Sequence, residues 1–235
     1  PQCFIGPHQF KPLILVSINI MTILTIVALL AIGAAAEEKA PVPDFVVEGT
    51  CPTVDEKTLW EQQKPNHAKF AGTWFEVGRT DNPYQLVKEC THSNLTYNGN
   101  GFQHITMGLG ADGNLLRRDG LTFPFITGAN ANSPHLSIQF EMPSWAAPFV
   151  ILDTDYDSYA CIYSCMDFNN QFVADFGFVW SRIPDMHIMN FEKCRTAFTK
   201  IALNTERIQI IKQGDDCKYD TIQSSLSLKS PKMEL

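Results

Sequence analysis

The sequence predicts an all-β fold of antiparallel strands, arranged as an up-and-down barrel or as a sandwich. Between Phe70 and Arg182, short runs rich in β-branched and aromatic residues recur at spacings of about ten residues. Turn residues separate them, and Asn98-Gly99 and Asp112-Gly113 are typical of tight hairpins. Because no helical pattern intervenes, successive strands are expected to pair antiparallel.

The residues that precede the strands are assigned to export. Residues 13–36 are apolar almost throughout and long enough to cross a bilayer. A shorter unit opens at Met21 and ends in Ala34–Ala36, which suits signal-peptide cleavage. We therefore predict a signal peptide over residues 21–36 and a secreted, extracellular chain that begins near Glu37, with an uncleaved anchor as the alternative. Residues 1–20 are an upstream extension with no assigned structure.

About eight runs predict the strands. In chain order they read TWFEVGRT, THSNLTY, FQHITMGLG, NLLRRDGLTFPF, PHLSIQFEM, APFVILDTDYDSYA, CIYSCMDF and QFVADFGFVWSR. A helix is then predicted over Pro184–Leu203, because proline favours a helix start and the apolar residues that follow recur at helical spacing. Arg207–Gln213 predicts a last short strand. Residues 218–235 predict a flexible tail, which leaves residues 37–217 as the folded domain.

Six cysteines remain once Cys3 of the upstream extension is set aside: Cys51, Cys90, Cys161, Cys165, Cys194 and Cys217. An even number behind a signal peptide predicts disulfides, although the residues alone leave about fifteen pairings open. No metal site is predicted, because the spacing of these cysteines lacks the paired Cys-x-x-Cys pattern of zinc sites. Asn94-Leu95-Thr96 is a glycosylation sequon, and we expect a sugar on Asn94.

The charge and the motifs exclude two broad classes of function. The net charge is −7 and no cluster of Lys and Arg is present, so nucleic acid is not an expected partner. There is no Gly-x-Ser-x-Gly motif and no glycine-rich phosphate loop, so we do not expect an enzyme. Asp153, Asp155 and Asp157 alternate along one segment, and we interpret them as solvated or turn-capping carboxylates rather than as a cation site.

Three short motifs, taken in order, carry a family resemblance. They are Gly72-x-Trp74 on the first long strand, Thr154-Asp155-Tyr156 late in the strand region, and Arg182 before the helix. The ordered set resembles the signature of the lipocalin family from about residue 44 to Cys217. That resemblance implies an eight-stranded up-and-down barrel with one C-terminal helix packed outside. It also implies a structural role for these residues, with Arg182 lying across the Trp74 indole that fills the closed end.

Further segments are similar to the crustacyanins, the carotenoid-binding lipocalins of crustacean shells, and most of all to their A-type subunits. The segments are PDFVVEGTC, NPYQLVKEC, DGNLLRRDG, PHLSIQFE, APFVILDTDYDSYACIYSC and GDDCKYDT. The similarity implies the disulfides Cys51–Cys165, Cys90–Cys217 and Cys161–Cys194. It also implies astaxanthin as ligand, with no catalytic cofactor. The alternative function is a general carrier of sterols, retinoids or bilins, of the apolipoprotein D type.

The resemblance also nominates ligand-binding residues. A strand places His135 and Ser137 on one face and Leu136, Ile138 and Phe140 on the other. The resemblance assigns His135 and Ser137 to the carotenoid end ring, which would make the opposite face available as an outer surface.

A second group of ligand-binding residues is expected at the pocket mouth and wall. Tyr84 and Gln85 belong to the NPYQL segment, which the resemblance places at the mouth. Glu76 and Phe140 stand where related subunits can carry Gln and Tyr, so the local field and the donors at the ligand are expected to differ.

The length of a carotenoid predicts a protein partner. Strands of about ten residues that are tilted by about 40° give a barrel roughly 25 Å tall. A carotenoid extends roughly 30 Å, comparable to the hydrocarbon core of a bilayer. We therefore expect a second lipocalin subunit of a different type to cover the protruding part, in a heterodimer and higher assembly, with Leu121–Ile126 and Pro143–Phe149 as further apolar candidates for the contact.

Overall fold

In the computed structural model, eight antiparallel strands pair in sequence order, and the last returns to pair with the first. The structure describes residues 43, 45–54, 66–124, 135–141 and 146–222. The predicted signal peptide and upstream extension lie outside these residues. Within the described part of the chain, no helix is both long enough and apolar enough to span a bilayer.

The barrel strands follow the predicted runs closely. They are β2 (Gly72–Thr80), β3 (Glu89–Tyr97), β4 (Phe102–Leu109), β5 (Leu115–Pro124), β6 (His135–Phe140), β7 (Ala146–Thr154), β8 (Tyr159–Phe168) and β9 (Phe172–Ser181). Two short strands flank them: β1 (Val46–Glu48) pairs with β9, and β10 (Ile208–Ile210) pairs with β2. Closure comes from β9 against β2, where Phe75 lies opposite Ser181. The fold is therefore a closed barrel and not a sandwich.

The run APFVILDTDYDSYA was predicted as one segment, but the structure divides it between β7 and β8. A turn occupies residues 155–158, and Tyr156 adopts a positive φ of 68° there. The Asp155 carboxylate accepts hydrogen bonds from the backbone N–H groups of Asp157, Ser158 and Tyr159. Because this carboxylate caps the turn, the chain reverses where strand propensity alone would continue.

Two helices differ from the sequence-based expectation. The C-terminal helix α2 (Ile188–Lys200) begins four residues after Pro184, because the His187 side chain caps its first turn by accepting from Met189 N–H. Helix α2 packs outside the barrel and buries Cys194, Ala197 and Phe198. A one-turn helix, α1 (His67–Phe70), was not predicted. Asn66 caps it, and it brings Phe70 under the barrel.

Three disulfides tie the periphery to the barrel, with the pairing that the resemblance implies. Cys51–Cys165 joins the N-terminal arm to β8, and Cys90–Cys217 joins β3 to the segment that follows β10. Cys161–Cys194 joins β8 to α2. All six of these cysteines are therefore oxidised.

The predicted flexible tail is packed over its first residues. Tyr219 donates a hydrogen bond to the Gln213 side chain at 2.7 Å, and its ring contacts Phe75 and His92. Ile222 is 3% exposed beside the Cys90–Cys217 disulfide. The disulfide holds this short segment against the barrel wall, so the ordered domain extends to Ile222. Residues 223–235 lie outside the described part.

Candidate functional site

The closed end of the barrel is built around Trp74. Its ring is fully buried with Phe70, Phe102 and Trp180, and its indole N–H donates to the Phe70 carbonyl at 2.8 Å. A large indole can therefore begin the strand because α1 supplies the acceptor that a buried N–H requires. The result is an aromatic floor.

Arg182 packs against the outer side of the floor and stabilises it. Its guanidinium carbon lies 3.7 Å from the Trp74 ring centroid, a cation–π contact. Its nitrogens donate to the carbonyls of Lys69, Ala71, Thr73 and Tyr156. Gly72 leaves room for this arrangement, since its φ is +100° and a Cβ there would lie 3.2 Å from an Arg182 nitrogen.

The Thr154-Asp155-Tyr156 turn completes the same cluster. The Thr154 hydroxyl accepts from Tyr156 N–H and donates to the Tyr159 carbonyl. The Tyr156 hydroxyl in turn accepts from Asn66 N–H, ahead of α1. The three motifs therefore meet at the closed end, and none of their residues lines the cavity above it.

Above the floor lies a cavity with an empty volume of about 760 Å³, counted to its open mouth. Aromatic side chains line it, among them Phe140, Phe149, Phe176, Phe178 and Trp180, together with polar residues that include Glu76 and Arg118. Strand β2 runs away from the floor, so the loop after it (Asn82, Tyr84 and Gln85) forms part of the mouth.

Two of the expected contact residues do not reach this cavity. Strand β6 turns Ile138 and Phe140 into the cavity lining and Leu136 into the floor cluster. His135 and Ser137 consequently lie on the outer face, with His135 Nε2 3.1 Å from the Val54 carbonyl. Leu136, Ile138 and Phe140 point inward. They therefore do not form the outer apolar surface that was expected on this strand. Of the other apolar candidates, Pro148 and Phe149 also line the cavity.

The other four expected residues lie together at the cavity. Glu76 forms a buried ion pair with Arg79, and Gln85 Nε2 donates to the second Glu76 oxygen at 3.4 Å. The charge of Glu76 is thus balanced inside the protein. Tyr84 contributes its carbonyl, which accepts from Arg118 at 3.0 Å.

The guanidinium of Arg118 lies over the ring of Phe140, the fourth of these residues. Its guanidinium carbon lies 4.1 Å from the ring centroid of Phe140, and it also belongs to the cavity lining. Phe140 therefore presents an apolar face to the cavity beside a cation.

Sequence reasoning missed a polar network on the inner faces of β3, β4 and β5. His104 Nδ1 lies 3.0 Å from the Thr122 hydroxyl and Nε2 lies 3.1 Å from the Ser93 hydroxyl. Ser93 in turn lies 2.9 Å from the Thr106 hydroxyl. Burial, and secondarily the charge of Arg118, lower the pKa of His104 to about 3, so the imidazole is neutral.

The alternation on β4 conceals this network in the sequence. Ile105, Met107 and Leu109 share one face, which reads as the core side, while His104 and Thr106 share the other. This apolar face is the outer face of the barrel. It can be apolar because the Cys90–Cys217 disulfide and Ile222 cover it. A residue pattern cannot show that a distant segment covers an outer face.

Comparisons with known proteins agree with this architecture. The model of the lipocalin / cytosolic fatty-acid binding protein family matches residues 71–215. The crustacyanin-C1 and crustacyanin-A1 subunits of Homarus gammarus are each 43% identical over 180 residues, 77% of this chain and 97% of each subunit. The A-type and C-type subunits are thus equally similar to it. A solved structure of apocrustacyanin C2 superposes with a TM-score of 0.72 at 42% identity, over 78% of this chain and 99% of that one.

The barrel, the floor cluster and the outer helix occur together in a chain that is similar to these subunits over nearly their whole length. The chain therefore belongs to the lipocalin family and is similar to its crustacyanin members.

Proposed function

We propose that this chain is a secreted carotenoid-binding lipocalin, a binding protein and not an enzyme, that holds astaxanthin in its barrel, shifts its colour and so contributes to shell pigmentation. Similarity to crustacyanin subunits over 97% of their length carries the proposal. The aromatic cavity supports it, because burial of a polyene contributes about 25 cal/mol per Å² of apolar surface.

The depth of the barrel supports a subunit partner. Strands of nine or ten residues, with the floor filled by Trp74, leave a cup shorter than a carotenoid of roughly 30 Å. One cup therefore holds one end ring and part of the polyene. The remainder needs a second lipocalin subunit to cover it.

Exposed apolar residues surround the mouth and offer that partner a surface. Tyr84 and Leu86 are 40% and 48% exposed in the loop after β2. Phe168 and Phe172, on either side of the β8–β9 turn, are 46% and 43% exposed. These four residues, named the mouth rim below, replace the inward-facing residues of β6 as the proposed contact.

Spectra of the purified protein test the proposal. The protein is incubated separately with astaxanthin, biliverdin and retinol, and the absorption of each mixture is compared with that of the free ligand. We expect tight binding of astaxanthin with a shift of its band to longer wavelength. Binding of retinol or biliverdin in preference to astaxanthin would instead support the general carrier.

A further inference from the structure

The turn between β3 and β4 contains two successive Asn-Gly pairs, Asn98-Gly99 and Asn100-Gly101. In such a pair the backbone nitrogen of the glycine can attack the side-chain amide carbon of the asparagine, because glycine has no side chain to hinder the approach. The first three of these residues are exposed, whereas Gly101 is buried. The hydrogen bonds of the turn treat the two pairs differently.

The Asn98 side chain is held over the Gly99 peptide group. Its Oδ1 accepts hydrogen bonds from the backbone N–H groups of Asn100 at 3.1 Å and Gly101 at 2.9 Å. Gly99 has a φ of +93°, and its own N–H makes no hydrogen bond to any residue that the structure describes. The nitrogen that would attack Asn98 is therefore unengaged, while the side chain that it would attack is held in place.

The two N–H groups that hold Asn98 also suit the transition state. When the Gly99 nitrogen attacks, negative charge develops on Asn98 Oδ1, the atom that already accepts both hydrogen bonds. Donors placed where charge develops lower the barrier to a reaction at an amide carbon. The turn therefore supplies an oxyanion site for attack on Asn98.

The second Asn-Gly pair lacks this arrangement. The Gly101 nitrogen, which would attack Asn100, is buried and donates its hydrogen to Asn98 Oδ1. The Asp112-Gly113 turn is protected in a similar way, because its glycine N–H donates to the Gly110 carbonyl at 3.0 Å. Engagement of the glycine nitrogen thus separates these two pairs from Asn98-Gly99.

We propose that Asn98 is a site of spontaneous deamidation that the turn itself accelerates. The Gly99 nitrogen loses its proton to hydroxide and forms a bond to Asn98 Cγ. The bond from Cγ to Nδ2 breaks, and ammonia leaves with a proton taken from water. The resulting succinimide then takes up one water molecule. Opening at one carbonyl gives aspartate, and opening at the other gives isoaspartate, whose backbone is longer by one carbon.

Isoaspartate at this position would alter the closed end of the barrel. The extra carbon falls inside the turn that is closed by the hydrogen bond from Asn98 N–H to the Gly101 carbonyl. The Tyr97 hydroxyl donates to the Gly99 carbonyl at 2.9 Å, and the Tyr97 ring packs against Phe102 of the floor cluster. The change would therefore reach the floor. It needs no bound ligand, so the proposal is independent of the proposed function.

The test follows both asparagines in one molecule. The folded, disulfide-bonded protein is incubated at mildly alkaline pH and digested at acidic pH. Tandem mass spectrometry with electron-transfer fragmentation then separates aspartate from isoaspartate. We expect Asn98 to convert at least about tenfold faster than Asn100, because only Asn98 has the oxyanion donors. It should give both products and take up ¹⁸O from labelled water. In the reduced protein in urea, the two asparagines should convert at similar rates.

Two variants separate the role of the turn from that of the dipeptide sequence. Asn98→Ala removes the acceptor of the Gly101 N–H and should raise the rate at Asn100 toward its rate in the unfolded chain. Asn98→Asp is the matched control, because its carboxylate keeps that acceptor, and Asn100 should stay slow. Circular dichroism checks that both variants keep the barrel. Equal rates at the two asparagines in the folded protein, aspartate without isoaspartate, or an equally slow Asn100 in both variants would overturn the proposal.

Discussion

Arg182 is a single side chain that holds three distant segments in one cluster. Its planar guanidinium covers the Trp74 ring and reaches carbonyls within α1, just after α1 and in the turn before β8. Lysine carries the same charge but lacks the flat, forked donors. The role of Arg182 is therefore geometric as much as electrostatic.

Replacing Arg182 with Lys is expected to destabilise the protein by about 2–4 kcal/mol, because hydrogen bonds to charged groups contribute about 1.5–3 kcal/mol each and only some can be re-formed. Urea unfolding followed by tryptophan fluorescence measures the change. Arg195→Lys is the control, since Arg195 makes an exposed ion pair with Glu192 and should change stability by less than about 0.5 kcal/mol. Similar losses in the two variants would contradict the special role of Arg182.

His104 makes the stability depend on pH. Its pKa is lowered from 6.5 to about 3 in the folded protein, so between these values the unfolded chain binds a proton that the folded chain does not. Stability should therefore fall as pH drops below about 6.5, by at most about 1.4 kcal/mol per pH unit from this group. Urea unfolding at pH 7.5 and pH 4.5 should show a smaller loss for His104→Gln than for the unaltered protein. An equal loss would assign the acid sensitivity to other groups.

Among the elements, β4 and β6 show where sequence patterns succeed and fail. Both runs were predicted as strands, because alternation and turn residues report strand existence well. The inward face of β6 was assigned incorrectly, since the resemblance placed His135 and Ser137 at the ligand whereas Leu136 and Ile138 face the barrel interior. On β4 the apolar face is the outer one. Which face is covered depends on α2, the N-terminal arm and the C-terminal segment, whose positions no local pattern encodes.

The floor motifs were predictable, because their roles depend on particular residue types and not on which distant segment covers a face. Each contact of Arg182 depends on residues with a narrow choice of chemistry, such as the positive φ of Gly72 and the indole of Trp74. The polar network was not predictable, because Ser93, His104 and Thr122 come from three strands and only the register of the closed barrel brings them together.

Helix α2 depends on its disulfide to β8 as well as on packing. Replacing both Cys161 and Cys194 with Ser opens a bridge with a sequence separation of 33, which should lower the free energy of unfolding by roughly 3 kcal/mol. Urea titrations of the variant and the unaltered protein test this, and far-ultraviolet circular dichroism should show that the barrel persists. An unchanged stability would mean that Phe198 and its neighbours hold the helix by packing alone.

At the scale of the molecule, the mouth rim is expected to control assembly. Leu86→Asp and Phe168→Asp place charges on the proposed contact and should weaken association with a second lipocalin subunit by tenfold or more. Sedimentation of the mixed subunits with and without astaxanthin measures this. Ile188→Asp, at a residue that is 64% exposed on α2, should leave association unchanged. A protein that gives the full colour shift as a monomer would contradict the paired arrangement.

The predicted signal peptide, disulfides and glycosylation site can be tested together on the secreted protein. Secreted material should begin near Glu37, carry no thiol that can be alkylated without reduction, and bear a sugar on Asn94, which lies half-buried on the outer face of β3. Intact mass spectrometry before and after reduction and deglycosylation checks all three. A retained segment before Glu37 would favour the uncleaved anchor.

The bridges Cys51–Cys165 and Cys90–Cys217 enclose overlapping stretches of the chain. A single peptide-bond cut anywhere between Cys90 and Cys161 therefore produces two polypeptides that are still joined twice. On a gel without reductant such a nicked molecule would migrate as one band, and only reductant would release two fragments. Proteolysis within this part of the barrel would thus leave the two fragments covalently joined. A ligand bound inside would remain enclosed after the backbone had been cut.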